Sequence, residues 1–294
     1  MIIDVEVDQT AVVDRLVRWA NADDDVRALM LTSSRASPSA AVDTLSDYDV
    51  VVVLRDIASA TADESWLREY GTPLVQFRDR AELHGIATAT RLVLYEDGTK
   101  IDYQVWPAGL LRRLAIEPRL PDNLDVGYVV LVDKDNLTEQ LKAPSYAAHI
   151  PKRPTEYEFL DVVEEFWWES QYLAKALWRD ELLPAKYSFD VVMKLNLLRR
   201  MLEWLVELDR DWSIRPGRMG RELKARLDPE LWPEVEVTFV GSSIDENWDA
   251  LFRCTALFGK VARSVAAGLG YHYPDDMESA MTRYLKRVQE LEHE

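Results

Sequence analysis

Over the first 135 residues, short apolar runs alternate with segments whose apolar residues recur at helical spacing. Residues 11–20 place Val12, Leu16 and Trp19 on one helical face, with Asp8 or Thr10 positioned to cap the segment. Residues 26–31 read as a short strand, and 33–46 as a polar loop containing Pro38. From Asp49 the chain runs on through four valines to Leu54, the continuous apolar pattern of a central strand. A helix is predicted over 63–70 and a further strand over 74–77. The runs 91–95 and 100–106 flank Glu96-Asp97-Gly98-Thr99. Asp-Gly between two strand patterns predicts a hairpin, because the tight turn needs positive φ. In the second arm Asp102 and Gln104 share one face, while Ile101, Tyr103 and Val105 share the other. Residues 128–132 add a candidate edge strand.

The pattern changes near His149-Ile150-Pro151-Lys152-Arg153-Pro154, where two prolines in four residues mark a linker. Beyond it the chain reads as helical. Thr155 followed by Glu158 is a capping-box pattern, opening an aromatic-rich helix that runs to about Trp178. Further helices are predicted over 188–208, 218–227, 245–269 and 275–291, separated by Pro184, Pro216-Gly217, Pro229 and Pro274. The expected class is α+β. A mixed sheet with flanking helices over 1–150 is followed by a helical bundle over 151–294.

Composition narrows the function classes. With 294 residues and 48% hydrophobic positions, the chain can bury a core in each half. The 52 acidic and 35 basic residues give a formal charge of −17. Such a balance disfavours nucleic acid, whose binding rests on Lys and Arg at phosphates, and favours a cationic small molecule. An acidic surface that serves only solubility is the plain alternative. No stretch approaches the roughly 20 apolar residues of a membrane span, so no membrane partner is expected. Met1-Ile2-Ile3-Asp4-Val5-Glu6 has no basic region followed by an apolar run, so a cytoplasmic protein is expected. Cys254 is the single cysteine, which rules out an internal disulfide and a cysteine-based zinc cluster. The four histidines, His84, His149, His272 and His293, lack metal-ligand spacing. The sequence carries no signal for monomer or dimer.

The chemistry concentrates at Asp47-Tyr48-Asp49. Residues two apart on a strand face the same way, so two carboxylates stand side by side at the mouth of an apolar strand. Like charges this close repel and call for a compensating cation. Hard oxygen ligands on one face suit Mg²⁺, which is commonly held by one or two carboxylates together with substrate phosphates. Asp102, on a neighbouring predicted strand, supplies a third carboxylate. Ser33 and Ser34 follow a strand in a loop whose N–H groups and hydroxyls suit phosphate oxygens, and Arg35 adds a fork of donors. Asp-x-Asp alone is a weak signal; joined to the third strand acid and the Ser-Ser loop it points to metal-assisted transfer of a phosphorus-bearing group.

The layout of a small-residue loop, then Asp-x-Asp, then a third strand Asp resembles the DNA polymerase beta-like nucleotidyltransferase superfamily. More closely, the chain resembles the aminoglycoside 6-adenylyltransferase (streptomycin adenylyltransferase) family. The segments that carry this are Ser34-Arg35, Ser46-Asp47-Tyr48-Asp49-Val50, Tyr95-Glu96-Asp97-Gly98, Lys100-Ile101-Asp102 with Pro107, and Leu131-Val132-Asp133-Lys134-Asp135. The helical half adds residues 150–155, Glu165-Phe166-Trp167, Tyr172, Lys175, Arg179, Glu181, Asn196-Leu197-Leu198-Arg199, Trp204 and Tyr273-Pro274. The resemblance implies transfer of AMP from MgATP to an aminoglycoside hydroxyl with release of pyrophosphate. It implies Asp47 and Asp49 as Mg²⁺ ligands and Ser34 on the β/γ-phosphates. Asp102 would be a further metal ligand or the base that takes the substrate proton. One departure stands out: the family pattern has Gly where this chain has Ser33. Glycine permits positive φ and close approach to phosphate, so the departure bears on activity more than on fold.

Trp168, Tyr172, Lys175 and Arg179 fall on one helical stripe. Lys175 and Arg179 are expected to serve ATP phosphates; Trp168 and Tyr172 read as core. Glu165, Glu169 and Asp180 are candidates for pairing with guanidinium groups of a streptomycin-like acceptor, against the plain reading of a solvated helix face. Two rivals remain open: a nucleotidyltransferase with a different acceptor, and a catalytically weak relative that binds nucleotide or a partner protein.

Overall fold

The computed structural model describes residues 9–38, 40–215 and 217–292. Met1–Glu6, Asp8, Pro216 and His293 therefore lie outside the described residues. The chain divides into two compact units, Met1–His149 and Ile150–Glu294. Among the described residues no helix is long and apolar enough to cross a membrane.

In the first unit the elements run α1 (Gln9–Ala22), β1 (Val26–Thr32), β2 (Tyr48–Leu54), α2 (Ile57–Ala62), β3 (Pro73–Leu83), β4 (Ile86–Tyr95), β5 (Lys100–Pro107), α3 (Ala108–Ile116), α4 (Asp122–Asp125) and β6 (Tyr128–Asp133). The strands form one six-stranded sheet in the order β3-β4-β5-β2-β1-β6. Among the described residues only β2 and β5 pair in parallel; the other neighbours are antiparallel. This is the mixed sheet that the sequence pattern predicts, with the 128–132 run as its edge.

Period-two alternation sorts the side chains into two layers. Leu29, Leu31, Val50, Val52, Tyr95 and Tyr103 pack with Val12, Leu16 and Ala20 of α1 on one face. Ala28, Met30, Val51 and Val53 pack with Leu110, Leu111 and Leu114 of α3 on the other. The four valines of β2 are thus buried, two on each face of the sheet. The hairpin joins β4 and β5 as expected. Gly98 takes φ 84 and donates its N–H to the Tyr95 carbonyl at 3.0 Å, while the Asp97 carboxylate accepts from the Thr99 N–H at 2.9 Å.

Several expectations shift. The helix predicted over 63–70 is α2 at 57–62 followed by a 3-10 segment at Ser65–Glu69. Asp56 caps α2 by accepting from the Ala58 N–H, and the Asp63 carboxylate starts the next turn at the Ser65 N–H. β3 extends to Leu83 because backbone pairing with β4 carries a polar stretch that has no hydrophobic signal. Thr10 lies within α1 (Gln9–Ala22) instead of capping it.

The second unit is all helical: α5 (Glu156–Trp178), α6 (Leu182–Lys186), a π-wound segment Tyr187–Leu198, α7 (Arg199–Leu208), α8 (Leu223–Arg226), α9 (Leu231–Glu236), α10 (Ile244–Leu269) and α11 (Asp275–Gln289). The capping box is present: Thr155 Oγ1 accepts from the Glu158 N–H, and Glu158 accepts from the Thr155 N–H at 2.7 Å. Phe166 stacks on Phe258 at 3.6 Å between ring centroids, joining α5 to α10 at the centre of the core. Cys254 is fully buried there, as expected, and burial pushes its thiol up to about 12. Pro184 does not separate two helices. It sits in the first turn of α6, where its missing N–H has no intrahelical partner to lose. The helix predicted over 218–227 is reduced to a 3-10 turn at Arg218–Gly220 and the short α8. Left-handed φ values at Gly217, Met219 and Gly220 interrupt it.

Candidate active site

Asp47 lies one residue before β2, and Asp49 is the second residue of that strand. The parallel ladder places Asp49 directly beside Asp102 of β5. Asp49 is half-buried, and burial raises its carboxyl above the ordinary range; the neighbouring Asp102 charge adds to this. The fold thus gathers the acids that the sequence pattern singles out.

A cation already stands among them. The Lys100 ammonium, at the first position of β5, donates to Asp47 Oδ2 at 2.5 Å and to Asp102 Oδ2 at 2.9 Å. Burial alone would lower the Lys100 pKa, but its hydrogen bonds to the two carboxylates outweigh it and raise it. Sequence reasoning gives Lys100 no role. The signal was present, since Lys100 and Asp102 are two apart on a strand and share a face.

Ser33 follows β1 directly, at φ 63. The backbone thus takes the left-handed conformation in which a glycine carries no penalty. Its N–H donates to the Gly127 carbonyl at 3.2 Å, and its hydroxyl bonds the Asp49 carboxylate, which favours the ionised form. Gly127 has φ 125, and a Cβ there would meet the Ala36 carbonyl oxygen at 2.8 Å. Only glycine lets the chain entering β6 pass so close to the Ser33–Ala36 turn. Ser34 sits in the same turn and accepts from the Ser37 N–H through its carbonyl.

Arg35 points its fork at protein. Its Nε donates to the Asp47 carbonyl at 3.0 Å, its Nη2 to the Ser46 carbonyl at 2.6 Å, and its guanidinium lies 3.8 Å from the Tyr48 ring centroid. These contacts tie the loop ahead of β2 to the serine turn.

On the helical unit, Trp168 and Tyr172 are exposed, at 64% and 48%, and meet edge to face. The expectation that they are core is corrected: the buried stripe of α5 is Phe159, Val162, Val163, Phe166, Trp167, Leu173, Ala174 and Leu177. Glu165 is exposed and Glu169 half-buried on the same helix. The Lys175 ammonium lies 5.7 Å from the Tyr172 ring centroid. Arg179 caps the C-terminal end of α5, and Asp180 follows it at φ 58; both are exposed.

Among the described residues, no three acidic, histidine or cysteine groups converge into a ready metal-ligand cluster. The donor set nevertheless suits a divalent ion. Asp47, Asp49 and Asp102 offer hard oxygens, burial and then the neighbouring carboxylates raise the Asp49 pKa, and two of the three already hold a cation.

A profile of the streptomycin adenylyltransferase family matches residues 8–288. The chain belongs to that family. It is thereby a member of a nucleotidyltransferase enzyme family. Aminoglycoside 6-adenylyltransferase of Bacillus subtilis (strain 168) is 30% identical over 279 residues, covering 94% of this chain and 95% of that protein. Aminoglycoside 6-adenylyltransferase of Campylobacter jejuni is 29% identical over 266 residues, covering 90% of each. A crystal structure of an aminoglycoside 6-adenyltransferase from Bacillus subtilis aligns at 25% identity, covering 97% of this chain and 100% of that one, with a TM-score of 0.48.

Proposed function

We propose that the protein transfers AMP from MgATP to a hydroxyl of a streptomycin-like aminoglycoside in the cytoplasm, releasing pyrophosphate. The observation that carries this reading is the Asp49–Asp102 pairing in register, with Asp47 alongside, in a chain that matches the family over nearly its whole length. A divalent ion bound by these carboxylates would offset charge on the phosphate oxygens. Burial and the neighbouring Asp102 charge favour protonation of Asp49, and the Ser33 hydroxyl opposes it. Asp102 would accept the proton of the attacking hydroxyl or act as a further ligand. Ser33 and Ser34 sit at the turn after β1, and Ser34 would serve phosphate oxygens; Lys175 and Arg179 are the candidate phosphate-binding cations of the helical unit. Arg35 acts through the loop it clamps.

The exposed face of α5 supports a cationic acceptor. Glu165 and Glu169 flank Trp168, and carboxylates beside an aromatic face suit guanidinium groups, which pair bidentately with acids and stack on rings. Asp180 would add a third acid.

The test is pyrophosphate release from MgATP with and without streptomycin and a panel of other aminoglycosides. Release that depends on streptomycin and disappears in Asp49→Asn is the expected result. Release with a different acceptor would keep the reaction and replace the substrate. Failure to bind ATP with Mg²⁺ would remove the reading.

A further inference from the structure

A carboxylate pair without an ion would be expected to spread apart or take up a proton. Here the chain supplies its own cation. The Lys100 ammonium bridges Asp47, just ahead of β2, and Asp102 of β5, which are 55 residues apart in sequence, at 2.5 and 2.9 Å. The side chains are 38%, 40% and 19% exposed for Lys100, Asp47 and Asp102. Ion pairs this open to solvent contribute little to folding, so the bridge is poorly explained as a stabilising device. Its position is fixed all the same. Lys100 opens β5 immediately after the Asp97-Gly98 turn, and residue 102 is held beside residue 49 by the ladder.

We propose that Lys100 is the resident counter-cation of this site and competes with divalent ions for Asp47 and Asp102. The inference rests on the reading that these carboxylates take a divalent ion. Lys100 must give up both acids before they can serve that purpose, so the protein without nucleotide binds such an ion weakly. A triphosphate brings fresh negative charge for the ammonium to move onto. Lys100 thereby couples ion binding to nucleotide binding, and the acidic trio does not load an ion without its co-substrate.

The experiment measures Mn²⁺ affinity of the nucleotide-free protein by electron paramagnetic resonance, in the wild type, Lys100→Met and Lys100→Arg. A nearby unit charge typically moves the affinity of a carboxylate for a cation by one or more powers of ten, so Lys100→Met should bind Mn²⁺ about tenfold more tightly. Lys100→Arg keeps the charge and should stay near the wild type. Adding a non-hydrolysable ATP analogue should tighten Mn²⁺ binding more in the wild type than in Lys100→Met. If Lys100→Met does not fold, Lys100→Gln provides the same reading. Unchanged or weaker Mn²⁺ affinity in the neutral variant overturns the inference while leaving the metal assignment in place, as does a Lys100→Arg protein that behaves like Lys100→Met. No Mn²⁺ binding by any of the proteins, with or without nucleotide, overturns the inference and the metal assignment together.

Discussion

Asp49 and Asp102 are direct neighbours across the parallel pair of β2 and β5. Backbone pairing keeps the two acids on adjacent strands; burial raises the Asp49 pKa, and the Asp102 charge adds to it. Asp49→Asn removes one charge without removing the shape. Transfer should fall by at least on the order of a hundredfold. The melting temperature without divalent ions should stay the same or rise. Near-full turnover in the variant would contradict the metal assignment, and a large drop in melting temperature would make Asp49 a structural residue.

Ser33 separates two effects that a single substitution would blend. Its φ of 63 is costly for any residue with a Cβ, by about 1–2 kcal/mol. Ser33→Gly and Ser33→Ala both lose the hydroxyl that bonds Asp49, and only the glycine relieves the backbone. Ser33→Gly should therefore melt above Ser33→Ala by roughly 2–8 °C. Both should lose turnover relative to the wild type. If Ser33→Gly instead uses ATP better than the wild type, the hydroxyl contributes nothing to the site.

Arg35 holds the Ser46 and Asp47 carbonyls and stacks on Tyr48. Arg35→Ala should lower kcat/KM roughly ten- to a hundredfold by letting the acidic loop drift. Lysine offers one compact ammonium and cannot serve both carbonyls while stacking, so Arg35→Lys should recover only part of the loss. Steady-state kinetics alongside melting curves check this. Normal kcat and KM in a merely less stable Arg35→Ala protein would remove the positioning role.

Glu64 pairs with Arg78 and Arg91 and reports on stability. Burial opposes its ionisation, but hydrogen bonds from Arg78 and Arg91, at 2.7 and 2.6 Å, outweigh it and hold its pKa below the ordinary value. A depressed folded pKa gives stability that is present above the unfolded value and lost as pH falls through the folded one. Stability should therefore decline as pH drops below about 4.5. The Arg91 side chain is only 5% exposed, so Glu64→Gln leaves a buried cation poorly compensated, at a cost of about 3 kcal/mol. It should also flatten the acid slope. Denaturant melts at pH 7 and pH 4 measure both effects, and equal losses at the two pH values would place the slope elsewhere.

The sequence by itself determined the mixed sheet, the Asp97-Gly98 hairpin, the Thr155–Glu158 cap and the long helices α5, α10 and α11. Each rests on local chemistry: a valine run, a turn needing positive φ, a side chain capping its own backbone, or apolar residues at helical spacing. It also marked Asp47, Asp49 and Asp102, because strand alternation assigns faces before any partner is known. Only the tertiary structure decided what those acids meet. That Arg35 serves the Ser46 and Asp47 carbonyls, that Trp168 and Tyr172 face outward while Phe166 and Trp167 face in, and that Ser33 takes a left-handed φ all depend on neighbours distant in sequence. The same holds for Lys100, which donates to Asp102 two residues away and to Asp47 fifty-three residues away. Periodicity tells which face a side chain occupies; strand register and packing choose the charge that stands across from it.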